Sequence, residues 1–305
     1  MKTILGYLRD FIRRPRFPAE LLFGLVVSGI ALWLNESWGG ERTWIDGSAT
    51  QSLRLLKYLA LYGAAFGGGY LFQMALYPKE PALRLPQLWV GIAIAVILFS
   101  VRAWFQPFPL IQNRIAPEYQ IITWKYIYNG AGPLLLGLPT LLFWAFSGDR
   151  RQMPPYGFSM RYASLKPYFG LLALMLIPLL WAARQPDFQA MYPRAAHLNL
   201  PYQGPYNTLL TAGYEVLYTL DYVVTEFFFR GFLILHFARR VGEKAILPMC
   251  IFYVVIHFDK PIAEAISSFF GGMILGVLAL RTRSIYGGII IHVGIALIME
   301  ALGLL

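Results

Sequence analysis

Residues 87–105 read QLWVGIAIAVILFSVRAWF, and this stretch decides the class of fold. Arg102 is its only charged residue. At a rise of 1.5 Å per residue, a helix of this length measures about 28 Å, which is close to the roughly 30 Å thickness of the hydrocarbon core of a bilayer. The sequence therefore predicts a helix that crosses a membrane.

Comparable apolar runs recur from residue 20 to the last residue. Of the 305 residues, 57% are hydrophobic and 14% are charged, whereas soluble domains are nearer to about a quarter charged. We predict an all-α, polytopic transmembrane helix bundle with about eight or nine spans, with the short run 245–258 tilted or partly re-entrant. The predicted spans, with ends uncertain by about 2 to 4 residues, are 19–35, 53–77, 87–105, 126–147, 166–183, 208–237, 245–258, 262–281 and 285–304.

Basic residues favour one orientation of these spans. With the N-terminus in the cytoplasm, about 16 Lys and Arg residues fall in cytoplasmic segments and about 9 on the other side, as the positive-inside rule requires. We therefore predict a multi-pass protein of the plasma or inner membrane with a cytoplasmic N-terminus. The same distribution explains the net charge of +10 without nucleic acid, and we expect no nucleic-acid partner.

Two segments outside the spans are distinctive. Residues 1–16 are basic and partly amphipathic, and we expect them to lie on the membrane surface. Residues 185–206 contain four prolines and three tyrosines, which disfavour a helix and predict an interfacial loop or lid. We divide the chain into N-terminal transmembrane helices, residues 1–207, and a membrane core, residues 208–305. The single cysteine, Cys250, excludes a disulfide framework.

Charged groups inside the predicted spans concentrate in the C-terminal core. Each such group costs about 2.5 to 3.5 kcal/mol on insertion scales, so each is a candidate functional residue. The ionisable residues after position 208 that draw attention are Glu215, Asp221, Glu226, Arg230, His236, His257, Glu264, His292 and Glu300.

Glu226 and Arg230 form the sharpest group. They stand four residues apart, so the carboxylate and the guanidinium share a helix face and can neutralise each other in a low dielectric. Glu215, Thr219 and Tyr222 extend a polar stripe along the same helix. An ion pair that only fixes helix packing is the alternative interpretation.

Two histidines lie on two other predicted spans. His257 ends the run FYVVIHF, and His292 lies within GGIIIHVGIA. A lone histidine in an apolar helix is more often a hydrogen-bonded core residue than a catalyst. Two histidines and a carboxylate on three helices of one bundle can instead activate a water molecule. His236 and His197 are interpreted as bystanders.

At these residues, over about positions 208–304, the chain resembles the CAAX-protease and bacteriocin-processing family of intramembrane proteases, also called the ABI or type II CAAX prenyl endopeptidase family. The family's first motif, Glu-Glu-x-x-x-Arg, is matched by Thr225, Glu226 and Arg230. Its second motif, aromatic-x-x-x-His, is matched by Tyr253 and His257. Three motifs in order on successive helices are a more specific signal than any one of them.

The third motif, His-x-x-x-Asn or Asp, is matched by His292 alone, because Ala296 replaces the Asn, just as Thr225 replaces the first Glu. The resemblance implies a glutamic-type intramembrane endopeptidase. In this role Glu226 polarises water with help from His257, His292 stabilises the oxyanion and Arg230 orients Glu226. The two departures leave open a catalytically degenerate pseudoenzyme or scaffold.

Two further alternatives concern the metal and the class of protein. Glu226, His257 and His292 provide enough ligands for a catalytic zinc, so a zinc-dependent intramembrane metalloprotease is a second mechanism, although the leading one needs no cofactor. A transporter is disfavoured because the sequence shows no repeated halves. The expected partners are the lipid bilayer and a membrane-associated peptide or protein substrate.

Overall fold

The computed structural model describes residues 4–160, 164–198, 200 and 205–304, and within them the regular elements are all helical. The eighth of the principal helices, residues 205–241, has three consecutive segments, of which the middle one is π-helical. The principal helices are α1 (Ile4–Ile12), α2 (Phe17–Trp38), α3 (Gln51–Leu76), α4 (Pro86–Trp104), α5 (Pro117–Phe146), α6 (Lys166–Ala182), α7 (Pro186–Met191), α8 (Pro205–Glu226, Phe227–His236 and Phe237–Val241), α9 (Ile246–Val255), α10 (Ile262–Thr282) and α11 (Tyr286–Leu302).

Each of the nine predicted runs contains a helix, but fewer of them are long and apolar enough to cross a membrane. In the described part of the chain, five qualify, namely α2, α3, α4, α5 and α10, and a sixth is added if the bent pair Lys166–Ala182 and Pro186–Leu198 counts as one span. Helix α9 has only 10 residues, α11 has 17, and α8 carries several charged residues. The chain is therefore an integral, multi-pass membrane protein, although the predicted count of eight or nine spans exceeds what length and composition support.

Contacts between helix ends define two ends of the bundle. At one end, Arg14 Nε lies 3.3 Å from Glu243 Oε2, and Lys244 Nζ lies 2.8 Å from Glu80 Oε2. This end, which also carries Arg239, is called the basic end below. It brings together the starts of α2, α4 and α9 and the ends of α3 and α8.

The opposite end collects the other termini of the same helices. Asn35 Nδ2, near the end of α2, donates to the carbonyl of Phe258, just beyond α9, at 2.9 Å. The Tyr58 hydroxyl of α3 donates to Asp46 Oδ1 at 3.0 Å. This is called the cavity end. The helices therefore traverse the bundle alternately, as the sequence of apolar runs predicts.

The surface and the interior of the bundle differ as a bilayer requires. Large apolar side chains on the outside are exposed, among them Leu22, Trp33, Phe146 and Ile177. The interior is held by aromatic rings that contact one another at centroid separations of about 5.5 Å, around Phe252. Lipid in place of water accounts for apolar residues facing outward while polar ones lie within.

The segment 185–198 does not follow the prediction of a non-helical loop. Pro186 begins the short helix α7, and residues Arg194–Leu198 form a 3₁₀ turn. Proline is compatible with the first position of a helix because the N–H it lacks has no partner there. The remainder of the predicted loop, residues 199 and 201–204, lies outside the described residues.

Helix α8 changes geometry at the residues that carry the first sequence motif. It is α-helical to Glu226 and π-helical over Phe227–His236, where every side chain is buried. Gly231 allows the backbone of Tyr156 to lie against this segment, since a Cβ at position 231 would be 2.8 Å from its carbonyl oxygen. π-Helical turns are rare and are found mostly at functional sites.

Candidate active site

The carboxylate of Glu226 is fully buried in the bundle. Arg230 Nη1, one turn later on α8, lies 2.9 Å from Glu226 Oε1, and neither side chain is exposed. The second carboxylate oxygen, Oε2, has no hydrogen-bond partner among the described residues. It lies against Gly288 of α11, where any Cβ would overlap it, so glycine at this position makes room for the carboxylate. A carboxylate oxygen that is buried without a hydrogen-bond partner lowers the stability of the fold. Such a group is therefore a candidate for a functional role.

His292 joins the carboxylate to the interior space. Its Nδ1 lies 2.9 Å from the same Glu226 Oε1, and its ring packs edge-to-face against Tyr222 at 4.5 Å between centroids. A carboxylate only accepts hydrogen bonds, so Nδ1–H is the donor in this contact, and Nε2 is the nitrogen left for other partners. The geometry therefore matches a carboxylate-oriented histidine.

Tyr253 links the remaining residues. Its hydroxyl lies 3.4 Å from His292 Nε2, and its ring packs under the guanidinium of Arg230 at 4.3 Å. One turn later His257 Nδ1 donates to the Tyr253 carbonyl at 2.6 Å. Within the described residues no hydrogen bond or ion pair joins His257 to Glu226. The carboxylate thus contacts His292 and Arg230, while His257 faces the same space from the turn that follows α9.

That space is a cavity of about 330 Å³ at the cavity end of the bundle. Tyr253, His257 and His292 line it, whereas Glu226 and Arg230 lie behind its wall. Thr225, which stands where the family motif has its first Glu, also lines it, and its hydroxyl donates to the Asp221 carbonyl at 2.9 Å. The position that faces the cavity in this motif is therefore 225, not 226.

The other predicted candidates have separate partners. Glu300 accepts hydrogen bonds from the backbone N–H groups of Arg194 and Ala195, at 2.9 and 3.1 Å, and so anchors the 3₁₀ turn. Glu264 lines the cavity and accepts from the Tyr192 hydroxyl at 3.0 Å. Ala296 is buried in an apolar cluster outside the cavity lining.

Several residues that line the cavity were not singled out from the sequence. They come from the N-terminal helices and from loops: Glu41, Asp46, Arg102, Arg194, Asp259 and Lys260. Arg102 Nη2 pairs with Asp221 Oδ2 at 2.9 Å. Burial, together with the nearby charges of Asp259 and Asp46, raises the pKa of Glu41 to about 8. No local pattern in the sequence links residues that lie so far apart along the chain. The N-terminal helices and loops contribute residues to the lining of the cavity.

The zinc alternative requires three ligands within reach of one ion. Among the described residues, no group of three or more His, Cys, Asp or Glu side chains is arranged to hold a metal ion. His292 Nδ1 already contacts the Glu226 carboxylate directly, at 2.9 Å. The arrangement of these residues does not fit a zinc site.

Comparison with known proteins addresses this part of the chain. The model of the family described as type II CAAX prenyl endopeptidase Rce1-like matches residues 207–298. Residues 207–298 are thus similar to an Rce1-like domain, and the match covers less than a third of the 305-residue chain. The domain contains Glu226, Arg230, His257 and His292, and the match confirms the resemblance seen in the sequence. No curated protein and no solved structure matches the chain significantly. The Rce1-like family is a peptidase family, so the match implies an intramembrane protease role.

Proposed function

We propose that the chain is an intramembrane endopeptidase in which Glu226 and His292 act together on a water molecule in the cavity. The observation that carries the proposal is the 2.9 Å contact between Glu226 Oε1 and His292 Nδ1 at the wall of a polar cavity inside an apolar bundle. Ionisable pairs of this kind are rare inside membranes and mark functional sites.

The proposed reaction is the hydrolysis of a peptide bond. His292 Nε2 takes a proton from water as the oxygen attacks the peptide carbonyl, while Glu226 holds Nδ1–H and stabilises the imidazolium that forms. The proton then passes to the leaving amide nitrogen. In the alternative assignment, drawn from the sequence, Glu226 takes the proton itself with help from His257. Both versions require the Glu226 carboxylate.

Arg230 is proposed to position Glu226. Its charge offsets that of the carboxylate in a low dielectric, and the Tyr253 ring holds the guanidinium from the other side. In this position Glu226 Oε1 contacts both Arg230 Nη1 and His292 Nδ1.

The oxyanion needs a donor that Ala296 does not supply. The Tyr253 hydroxyl lines the cavity and lies 3.4 Å from His292 Nε2, so it is the hydroxyl best placed to donate to a carbonyl oxygen held there. One such donor contributes on the order of 3 kcal/mol to transition-state stabilisation.

The proposed substrates are membrane-associated peptides or protein C-termini. A cavity of about 330 Å³ is within the range of small-ligand sites and admits a few side chains, not a folded domain. A short extended segment presented from the bilayer fits this volume.

The proposal is tested by profiling protein termini in membranes. Membranes from cells that express the chain or its Glu226→Gln variant at equal abundance are compared by mass spectrometry for new N- and C-termini. Termini present with the native chain and absent with the variant are the expected result. The same termini with both proteins would overturn the assignment of Glu226.

The second candidate function is a pseudoenzyme that binds a membrane segment without cleaving it. Two observations favour it: Thr225 occupies the cavity-facing position of the first motif, and Ala296 is buried away from the cavity. This candidate predicts no cleavage by either protein in the same experiment, with retention of a membrane partner that co-purifies with both.

We further propose that the basic end faces the cytoplasm. The N-terminal helix, the α3–α4 connection and the α8–α9 connection meet there through Arg14, Lys244 and their acidic partners. Positive residues are retained on the cytoplasmic side. Reporter fusions after Arg16 and Arg240 should both give cytoplasmic signals, and an external signal at either would reverse the proposed orientation.

A further inference from the structure

A second, larger cavity lies at the basic end, away from the Glu226 site. Its volume is about 650 Å³, and it lies between the last turns of α8 and α10 and the segment 152–159. Three arginines line it, Arg239, Arg240 and Arg283, and among the described residues its lining contains no Asp or Glu. The candidate active-site cavity, by contrast, is lined by both acids and bases. A cavity with positive charge alone selects an anion.

The arginines of α8 are held by a buried acid outside the lining. Asp149 is fully buried and forms an ion pair with Arg239 through Oδ1. Its Oδ2 accepts from the Tyr156 hydroxyl at 2.7 Å and from His236 Nδ1 at 2.5 Å. His236 Nε2 in turn accepts from Arg240 Nη1 at 3.4 Å. Two guanidinium groups are thus positioned before any ligand arrives, which lowers the entropic cost of binding.

The backbone frame of the cavity is strained. Tyr156 has φ 30° and Arg283 has φ 50°, the two positive values among the described non-glycine residues. The two turns are tied together, since the Ile285 N–H donates to the Gly157 carbonyl at 3.0 Å. Left-handed conformations of this kind persist where the surroundings enforce them, and they cluster at ligand sites.

The lining also changes from apolar to basic along each helix. On α8, Leu235 and Ala238 precede Arg239, and on α10, Leu280 precedes Arg283. Both helices thus place apolar side chains nearer the middle of the bundle and guanidinium groups nearer its end. An amphiphile with an anionic head and an apolar body matches this order, because arginine favours phosphate and the leucines favour hydrocarbon.

We propose that this cavity binds the phosphate of an anionic phospholipid, with the headgroup at Arg240 and Arg283 and the glycerol and acyl portion against Leu235 and Leu280. Arg239 completes the positive wall while it remains paired with Asp149. A free phosphate shares the recognised chemistry but has no apolar portion to bury, so the two sources are separable by experiment.

The test uses the full chain purified in mild detergent and returned to nanodiscs. Retained phosphatidylglycerol and phosphatidylcholine are counted by native mass spectrometry for the native chain, for Arg240→Gln/Arg283→Gln and for the single variant Arg283→Gln. The single variant leaves the Asp149–His236–Arg240 network intact. The matched control is Arg150→Gln/Arg151→Gln, which removes the same charge from exposed arginines at the same end that do not line the cavity.

The expected result is selective retention of phosphatidylglycerol, weakened about tenfold by the cavity double variant, less by Arg283→Gln, and by less than about threefold in the control. If the two double variants lost phosphatidylglycerol equally, the effect would be one of surface charge, and the proposed site would be wrong. Equal retention of the two lipids by the native chain would also overturn it. Displacement of the retained lipid by millimolar inorganic phosphate alone would assign the site to a soluble phosphate.

Discussion

Two buried networks in this molecule use the same three kinds of side chain. In one, Glu226 contacts Arg230 and His292, and in the other Asp149 contacts Arg239 and His236. In each network the carboxylate accepts a hydrogen bond from Nδ1 of the histidine. Each network also has one member on the π-helical part of α8, Arg230 in the first and His236 in the second.

The two networks differ in how completely the acid is satisfied. Each oxygen of Asp149 has a partner among the described residues: the Tyr156 hydroxyl and His236 donate to Oδ2, and Arg239 forms an ion pair, without a hydrogen bond, with Oδ1. Glu226 concentrates its contacts on Oε1, and its histidine faces a cavity. A saturated network rigidifies the fold, whereas an unsaturated one beside a cavity can react. Asp149 is therefore expected to stabilise the fold, and Glu226 to take part in the reaction.

The largest expected effect is on turnover and follows from Glu226→Gln. Glutamine keeps the shape of the side chain but cannot stabilise an imidazolium, so cleavage should fall by about 10² to 10⁴-fold. The measurement is cleavage of a substrate found by terminal profiling, at matched protein abundance. Cleavage within about twofold of the native rate would remove Glu226 from the mechanism.

The next effect is on stability and follows from Asp149→Ala. This variant leaves Arg239 and His236 without their buried partner, and the free energy of unfolding should fall by about 3 to 5 kcal/mol. The control is Glu118→Ala, an exposed acid in the first turn of α5, for which about 1 kcal/mol or less is expected. Denaturation in detergent measures both. Equal losses would contradict a scaffolding role for Asp149.

A smaller effect on turnover is expected from Tyr253→Phe. The ring under Arg230 is kept and only the hydroxyl is lost, so cleavage should fall by about 10²-fold while the protein remains folded. Tyr70→Phe is the matched control, because the Tyr70 hydroxyl is buried without a hydrogen-bond partner in another part of the bundle. A Tyr253→Phe variant as active as Tyr70→Phe would exclude the hydroxyl as the oxyanion donor.

The smallest effect concerns pH. The pKa of Glu41 is raised to about 8, so the folded state holds a proton that the unfolded state releases above its ordinary value of 4.5. Stability should therefore be greatest below about pH 4.5 and decline as the pH rises towards 8, apart from other groups. Glu41→Gln removes this contribution, and its melting temperature should fall less than that of the native chain between pH 5 and 8. If the melting temperatures of the two proteins fell equally between pH 5 and 8, Glu41 would not be the group responsible.

The sequence predicted the helices well because lipid exposure imposes long apolar runs. It also predicted that Glu226 and Arg230 would share a helix face, since their spacing is one turn. Among the described residues, length and composition identify five or six candidate spans and leave out α9 and α11, which are short, and α8, which is charged.

The finer arrangement of the site was not accessible from local patterns. The π-helical segment after Glu226 packs closely against Tyr156 at Gly231, and no residue pattern in the motif predicts its geometry. The interpretation of His236 as a bystander rests on its place at the end of a span beside Arg239 and Arg240, and nothing local indicates its partner, Asp149, which is 87 residues away. The acids that line the cavity come from equally distant loops, so only the folded chain brings them together.

Glu226 and His292 are proposed to act as one unit, and a double-mutant cycle measures the coupling between them. Cleavage rates are measured in membranes for the native chain, Glu226→Gln, His292→Ala and the double variant, each at equal abundance. Residues that act as a unit give non-additive losses, so the double variant should be no slower than the slower single variant by more than about threefold. A double variant whose loss equals the product of the two single losses would contradict the claim.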